Sequence, residues 1–247
     1  MAPTVVLITG TARGIGRGIL ELYAAKPNHT IIAANRRPDD PASRELVSLP
    51  TAEGTVVKLV KLDATSPTDG EDAVQTLKSW GIDRIDILIA NAAIALAWPK
   101  LEDALVDDIK AHFETNVYGF VRLYQAFLPF LRVSTNPKLV TIGSSAAFLT
   151  RRNAIPYPNA VYGPSKVVQH WYTKTVAVLE PWLTAFPVDP GFVQTDMGNR
   201  AAGAFGLGKA YITVEESVQG VVNVIDASTR ETHSGKLWKW NGEEEPW

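Results

Sequence analysis

Short apolar runs alternate with amphipathic helical stretches down this chain, and that alternation limits its possible folds more than any other feature. The runs are Thr4–Thr9, Thr30–Asn35, Val56–Leu62, Ile85–Ala90, Lys138–Gly143 and Thr184–Asp189, with a last one at Lys236–Trp240. Most are continuously apolar, the pattern of parallel strands covered on both faces. Between them, Ile15, Ile19, Leu22 and Tyr23 share one helical face, and Ile109, Phe113, Val117 and Phe120 make a longer stripe. Ser66-Pro67 reads as a cap followed by a first-turn proline, opening a helix that runs to Trp80. Thr213-x-x-Glu216 reads as a capping box ahead of Val218, Val221, Val222 and Ile225. Such alternation builds βαβ units, so the expected fold is α/β: one doubly wound parallel sheet of about seven strands, helices on both faces. One domain over residues 1–247 is the economical reading. Thr150–Asn159 and Asn199–Tyr211 read as irregular loops.

The remaining composition mainly excludes. With 247 residues the chain is long enough for a sizeable core. A net charge of -2 without a long basic run argues against a nucleic-acid surface. There is no cysteine, which removes disulfides, zinc thiolates and thiol nucleophiles. The histidines His29, His112, His170 and His233 are scattered without ligand spacing, so no metal site is expected. The start lacks a basic signal and a membrane-length apolar run, so the expectation is a cytoplasmic protein without a membrane partner. Glu243-Glu244-Glu245 reads as a solvated end.

Thr9-Gly10-Thr11-Ala12-Arg13-Gly14-Ile15-Gly16 follows the first run and opens the first helix. Glycines allow a sharp turn and close backbone approach, and a helix N-terminus offers unpaired N–H groups to a pyrophosphate. Gly10, Thr11, Arg13, Gly14, Ile15 and Gly16 are therefore candidate contacts of a dinucleotide, which makes the expected sheet a Rossmann fold. On these residues alone, a plain strand–helix turn is the alternative. After the second run stands Asn35-Arg36-Arg37, where an NAD site usually carries an acid for the ribose 2′-hydroxyl. Arginine suits a 2′-phosphate, and Arg13 could meet the same group. Asn35 and Arg36 thus favour NADP(H) over NAD(H). Asp39 and Asp40 keep open a reading of Arg36 and Arg37 as solvated loop charges.

Tyr162 and Lys166 lie four residues apart, one helical turn. An ammonium beside a phenol favours the phenolate, which suits a tyrosine that exchanges a proton near neutral pH. The same spacing also arises in helices with no such role.

Loop, pair and chain length together resemble the short-chain dehydrogenase/reductase family, over essentially the whole chain. The resemblance implies that Asp63, with Ala64 beside it, contacts adenine. Asn91-Ala92-Ala93-Ile94 stands where the family has N-N-A-G or N-A-G. Ala93 replaces the glycine, which is tolerable if its φ is negative. Asn116 matches the asparagine of the family's catalytic tetrad; as a helix residue it could also be a surface amide. It shares the apolar face of Ile109 and Phe113, so it needs partners, which a kinked helix and an ordered water would provide. Aligning Thr141-Ile142-Gly143-Ser144-Ser145 on the family pattern makes Ser144 the active serine, with Ser145 as the alternative. Pro190, Gly191, Val193, Thr195 and Met197 match the segment that wraps the nicotinamide, with the threonine on its carboxamide. That segment and Thr213-Val214-Glu215-Glu216-Ser217 most resemble the carbonyl-reductase branch, including fungal ketoreductases of the norsolorinic acid type.

The implied activity is NADPH-dependent reduction of a small-molecule ketone or aldehyde. Tyr162 would exchange the proton, Ser144 would steady the carbonyl, and Lys166 would lower the phenol pKa and hold the ribose. Asn116 would position a water. Lys166 and an oxidised nicotinamide are the expected sources of the downward phenol shift. Family members form homodimers or homotetramers, here through a face such as Tyr118–Leu131. Phe148, Trp98, Tyr157, Phe205 and Tyr211 lie in loops that could line an aromatic pocket. Two readings compete: an NAD(H)-dependent alcohol dehydrogenase, and a catalytically silent dinucleotide-sensing protein. Retention of Asn116, Ser144, Tyr162 and Lys166 favours an enzyme.

Overall fold

In the first strand, Val5 and Leu7 point to one side and Val6 and Ile8 to the other, and all four are buried. Helices must therefore cover both faces of the sheet. The computed structural model describes residues 2–247. β1 (Thr4–Thr9) leads to α1 (Gly14–Ala24), β2 (His29–Asn35), a short α2 (Pro41–Arg44), β3 (Val56–Lys61) and α3 (Asp69–Ser79). β4 (Ile87–Ala90) is followed by α4 (Val106–His112), a π-helical turn (Phe113–Tyr118) and α5 (Gly119–Val133). Then come β5 (Lys138–Ile142), α6 (Tyr162–Leu179), β6 (Thr184–Asp189), α7 (Asp196–Ala204), α8 (Val214–Ala227), α9 (Arg230–His233), β7 (Leu237–Lys239) and β8 (Glu244–Glu245).

The strand order is β3-β2-β1-β4-β5-β6-β7-β8. All neighbours are parallel except β7 and β8. One face packs Leu7, Ile32, Leu88 and Leu139 against Leu77, Phe120, Leu123 and Phe127 of α3 and α5. The other packs Ile8, Ile31, Ile89 and Val140 against Ile19, Leu20, Tyr23, Val221 and Ile225 of α1 and α8. The order reverses direction between β1 and β4, which opens a crevice at the carboxyl ends of the strands. Thr213 and Glu216 form the expected capping box of α8.

The sheet has eight strands, close to the seven expected, the last added where Glu244 and Glu245 pair antiparallel to Trp238 and Leu237. Three expectations need correction. The acidic end is thus not simply solvated: the Glu245 carboxylate, 9% exposed, lies 3.0 Å from Arg151 and 3.9 Å from Lys239. The helix expected from Ser66-Pro67 begins at Asp69, since the Ser66 hydroxyl accepts from Asp69 N at 3.1 Å and donates to the Asp69 carboxylate at 2.7 Å. Of the stretch Asn199–Tyr211, the part up to Ala204 is helical, as α7 is capped at Thr195, whose Oγ1 accepts from Gly198 N at 3.1 Å; the rest is irregular as expected. Among the described residues, no helix is long and apolar enough to cross a membrane.

Candidate active site

The loop after β1 turns on Gly10 and Gly14, whose φ values of 71° and 57° are left-handed. Gly16 has a different reason: a Cβ there would sit 2.3 Å from the Gly10 carbonyl oxygen and 2.4 Å from Asn91 Nδ2. Two asparagines brace this loop. Asn91 Nδ2 donates to Thr9 O at 2.9 Å and Gly10 O at 3.1 Å. Asn35 Oδ1 accepts from Thr11 N at 2.7 Å and Thr11 Oγ1 at 3.1 Å, and its Nδ2 donates to Ser43 Oγ at 3.1 Å. Asn35 is therefore buried behind the loop, with its side chain engaged by protein. Ala92 N donates to Thr9 Oγ1 at 2.9 Å. Asn28 is the one non-glycine residue with positive φ among the described residues, so the condition on Ala93 is met.

α1 begins at Gly14 with Arg13 as an N-cap that makes no side-chain cap bond and with no acid in its first turn, so among the described residues its first N–H groups meet no side-chain cap. Such a start, closed in by glycines, fits a pyrophosphate. Arg36 is exposed and enters no ion pair among the described residues, whereas Arg37 lies 3.9 Å from Asp40 and Arg44 lies 3.1 Å from Asp39. The two acids that might have neutralised Arg36 are thus taken by other arginines. Arg13 instead pairs with Asp196 at 2.9 Å, joining the glycine loop to the segment after β6. There, a Cβ on Gly14 would meet Thr195 Cγ2 at 3.3 Å. In that segment Gly191 is left-handed at φ 79°, Val193 is buried and bridged to Ile212, and Ser217 Oγ donates to Pro190 O at 2.7 Å. Met197 sits half-buried in the first turn of α7. On the adenine side, Asp63 Oδ1 accepts from Thr65 N and Thr65 Oγ1, both at 2.9 Å. Asp63 and Ala64 border a cavity of about 40 Å³ shared with Thr9, Ala92, Thr115, Gly119 and Gln169.

Asn116, Ser144, Tyr162 and Lys166 come from three different loops and helices and meet at the carboxyl ends of β4 and β5. Asn116 lies in the π-helical turn, the expected irregularity, and is 1% exposed. Its partners are protein groups: Oδ1 accepts from Ile94 N at 2.8 Å, while Nδ2 donates to Ile94 O at 2.9 Å and Ser165 Oγ at 3.0 Å. Ser144 is extended, caps a short 3-10 turn through Ala146 N, and lies near enough to the Tyr162 phenol to work its pKa downward. Ser145 turns its N–H toward Asp189. Lys166 is buried, with Nζ donating to Ile142 O at 2.9 Å and Gln169 Oε1 at 2.8 Å.

The electrostatics differ from the expectation. Tyr162 as a whole is half-buried, but its hydroxyl is deep enough that burial pushes the pKa up to about 12. Ser144 works downward and the Asp189 charge upward. Lys166 Nζ lies 6.0 Å from the ring centroid of Tyr162 and does not lower its pKa. The reason is desolvation: burial also pulls Lys166 down to about 7, so near neutrality its charge is only partly present. Of the two expected sources of the downward shift, the protein's own does not act.

Four residues near the site escaped the sequence reading. Gln169 and His170 follow Lys166 on α6. His170 is buried, its Nε2 accepts from Ser144 N at 3.3 Å, and burial with the nearby Lys166 charge holds its pKa down to about 3. A Cβ on Gly143 would come within 2.5 Å of that Nε2. Asp189 ends β6, buried, its carboxyl pushed up by burial and its Oδ1 accepting from Gly191 N at 3.0 Å. One signal was available, a lone acid closing an apolar run. Phe192 joins an aromatic group drawn from the loops after β4, β5 and β6. Tyr157 stacks on Phe205 at 4.5 Å, with Trp98 at 6.0 Å and Phe192 at 6.4 Å from Phe205, and Tyr211 at 5.5 Å from Phe192. Phe148 is instead buried in the packing below.

Comparison with known proteins agrees with this geometry. A sequence-family model described as short chain dehydrogenase matches residues 4–204. A short-chain dehydrogenase, srdF, of Neurospora crassa is 36% identical over 249 residues, covering 99% of this chain and 98% of its own. The norsolorinic acid ketoreductase of Aspergillus parasiticus is 37% identical over 250 residues, covering 99% and 91%. The NADPH-bound carbonyl reductase from chicken fatty liver superposes with a TM-score of 0.86 at 26% identity, both chains fully covered at 100%. With its glycine loop, its Tyr–Lys helix and these relatives, the chain belongs to the short-chain dehydrogenase family and is an oxidoreductase of the nicotinamide-dinucleotide-binding kind.

Proposed function

We propose that this protein is an NADPH-dependent carbonyl reductase that converts a ketone or aldehyde to an alcohol, as one cofactor-binding domain. The observation that carries the reading is the meeting of Ser144, Tyr162 and Lys166 at the end of β5, with Ser144 close enough to the Tyr162 phenol to act on its pKa and Lys166 Nζ held on Ile142 O at 2.9 Å. When bound, the nicotinamide supplies the hydride. The glycine loop and the uncapped start of α1 hold the pyrophosphate, and Pro190, Gly191, Val193, Thr195 and Met197 enclose the nicotinamide. Asp63 and Ala64 border the adenine. Arg36, left unpaired by Asp39 and Asp40, receives the 2′-phosphate and sets NADP(H) over NAD(H).

Ser144 hydrogen-bonds the substrate carbonyl and steadies the charge that develops on oxygen. Tyr162 delivers the proton to that oxygen. A phenol pKa of about 12 keeps this proton in place at neutral pH, which suits donation to a carbonyl better than abstraction from an alcohol. Lys166 grips the nicotinamide ribose, and Asn116 fixes the loop at Ile94 against α6 through Ser165. The aromatic residues Trp98, Tyr157, Phe192, Phe205 and Tyr211 close one side of the cleft and favour a flat, aromatic ketone. Trp171, Val178 and Leu179, exposed along α6, support self-association. The test is Tyr162→Phe, assayed by NADPH oxidation with a panel of aromatic ketones and quinones. Turnover should vanish while NADPH binding, followed by fluorescence, persists. Substantial turnover in the variant removes Tyr162 from the mechanism.

A further inference from the structure

Among the described residues Gln169 is the one side chain bonded to Lys166 Nζ, and the proposed reaction does not use it. It lies one turn beyond Lys166 on α6 and is 1% exposed. A lysine carries donors only, so the atom accepting at 2.8 Å is the amide oxygen, and the amide nitrogen turns away from the ammonium. Gln169 also borders the cavity of about 40 Å³ behind the glycine loop, with Thr9 and Thr115 on its wall. A water needs about 10–15 Å³ and a few polar partners, so this space is large enough and polar enough to hold one. Thr115 belongs to the π-helical turn next to Asn116. The amide therefore spans the gap between the buried ammonium and a pocket that touches the irregular turn.

We propose that Gln169 is a positioning residue: its amide oxygen anchors Lys166 Nζ beside the Ile142 carbonyl, and its amide nitrogen ties that anchor to the cavity beneath the π-helical turn. The proposal rests on the role of Lys166 given above. Its physical basis is that a buried ammonium with neutral acceptors keeps its charge only through the hydrogen bonds it donates. Ile142 O and Gln169 Oε1 are those acceptors. Tyr162 and His170 flank Lys166 on its own helix. Asp189, from β6, acts on Tyr162; of the groups on α4 and the π-helical turn, His112 is engaged by Leu96 N and Asp108 O and Glu114 is paired with Arg122 at 2.7 Å. No carboxylate bonds to Nζ among the described residues. Removing the amide should make the amine surrender its proton more easily, and a carboxylate in its place should do the reverse.

The experiment follows the Lys166 amine directly, by NMR titration of the full-length protein labelled at lysine Cε, with Lys166→Met supplying the assignment. Gln169→Leu should lower the Lys166 midpoint by about one pH unit, as expected for loss of one hydrogen bond to a charged group. The nearly isosteric Gln169→Glu should raise it, and its retained shape guards against a folding failure in the leucine variant. The alkaline limb of kcat for carbonyl reduction, where the amine gives up its proton, should move in the same directions. Midpoints unchanged in both variants, or moving the same way in both, would overturn the proposal. A residue serving packing alone would lower thermal stability without opposite shifts. The titration needs no turnover, so it stands apart from the Tyr162→Phe test: inactivity toward every carbonyl would defeat the reductase reading and leave the midpoints to be measured.

Discussion

Lys166→Met offers a measurement whose size follows from burial alone. Lys166 is 2% exposed, and desolvation pulls its pKa to about 7, against about 10.4 in an unfolded chain. Between those values the unfolded chain binds more protons than the folded one, so this group makes stability rise with pH there. Below pH 7 both states hold the proton and the cost of burying the charge is fully present; above about 10.4 it has gone. Integrating the two titrations from pH 7 to pH 9 gives a loss of about 2 kcal/mol from that cost. Methionine carries no such contribution. It does leave Ile142 O and Gln169 Oε1 without their donor, at about 1–3 kcal/mol each, but that penalty does not vary with pH. Tyr162 and His170, held near 12 and 3, do not titrate inside the window. Urea unfolding of both proteins, followed by tryptophan fluorescence at pH 7, 8 and 9, reads the difference. The advantage of Lys166→Met over wild type should fall by about 2 kcal/mol across the series. A difference that stays flat would refute the reasoning, since a lysine that remains charged at pH 9 is not desolvated in the way its contacts imply.

Arg36→Asp should weaken NADPH about 10- to 100-fold while leaving NADH nearly unchanged, because only the 2′-phosphate loses a charge-assisted partner; fluorescence titration with both cofactors checks the ratio. Gly16→Ala should abolish the thermal stabilisation conferred by NADPH, since the added methyl has backbone at 2.3 Å and Asn91 Nδ2 at 2.4 Å to displace. Retained stabilisation would mean that the loop tolerates the shift. Glu245→Ala should cost about 1 kcal/mol, a fall of roughly 2–4 °C in Tm, by stranding Arg151, while Lys239 keeps Glu243 at 3.5 Å. Limited proteolysis should then cut sooner within Thr150–Asn159, whose Arg151 loses its tether.

The features read correctly from the chain were those that depend on neighbours in sequence. Strand and helix positions followed from periodicity, and β1 and β6 match the expected boundaries residue for residue. The capping box at Thr213 and the left-handed glycines of the loop were local as well. One misreading turned on a near neighbour and one on distant partners. Ser66-Pro67 looked like a helix start, but the Asp69 carboxylate captures the serine hydroxyl and the helix waits until residue 69. Glu243–Glu245 looked solvated because charge runs usually are, yet β7 offered an open edge and Arg151 a counter-charge.

The sequence by itself determined the alternating strands and helices, the glycine turn, and the identity of the groups available for chemistry, because these follow from residue type and spacing. Tertiary structure alone decided their states. It turned Asn35 inward to brace the loop, left Arg36 unpaired, and brought Asp189 and His170 up to the serine and tyrosine. It also left Lys166 without its expected effect on Tyr162. A pKa depends on how much water and which charges surround a group, and that is set by packing between segments far apart in the chain.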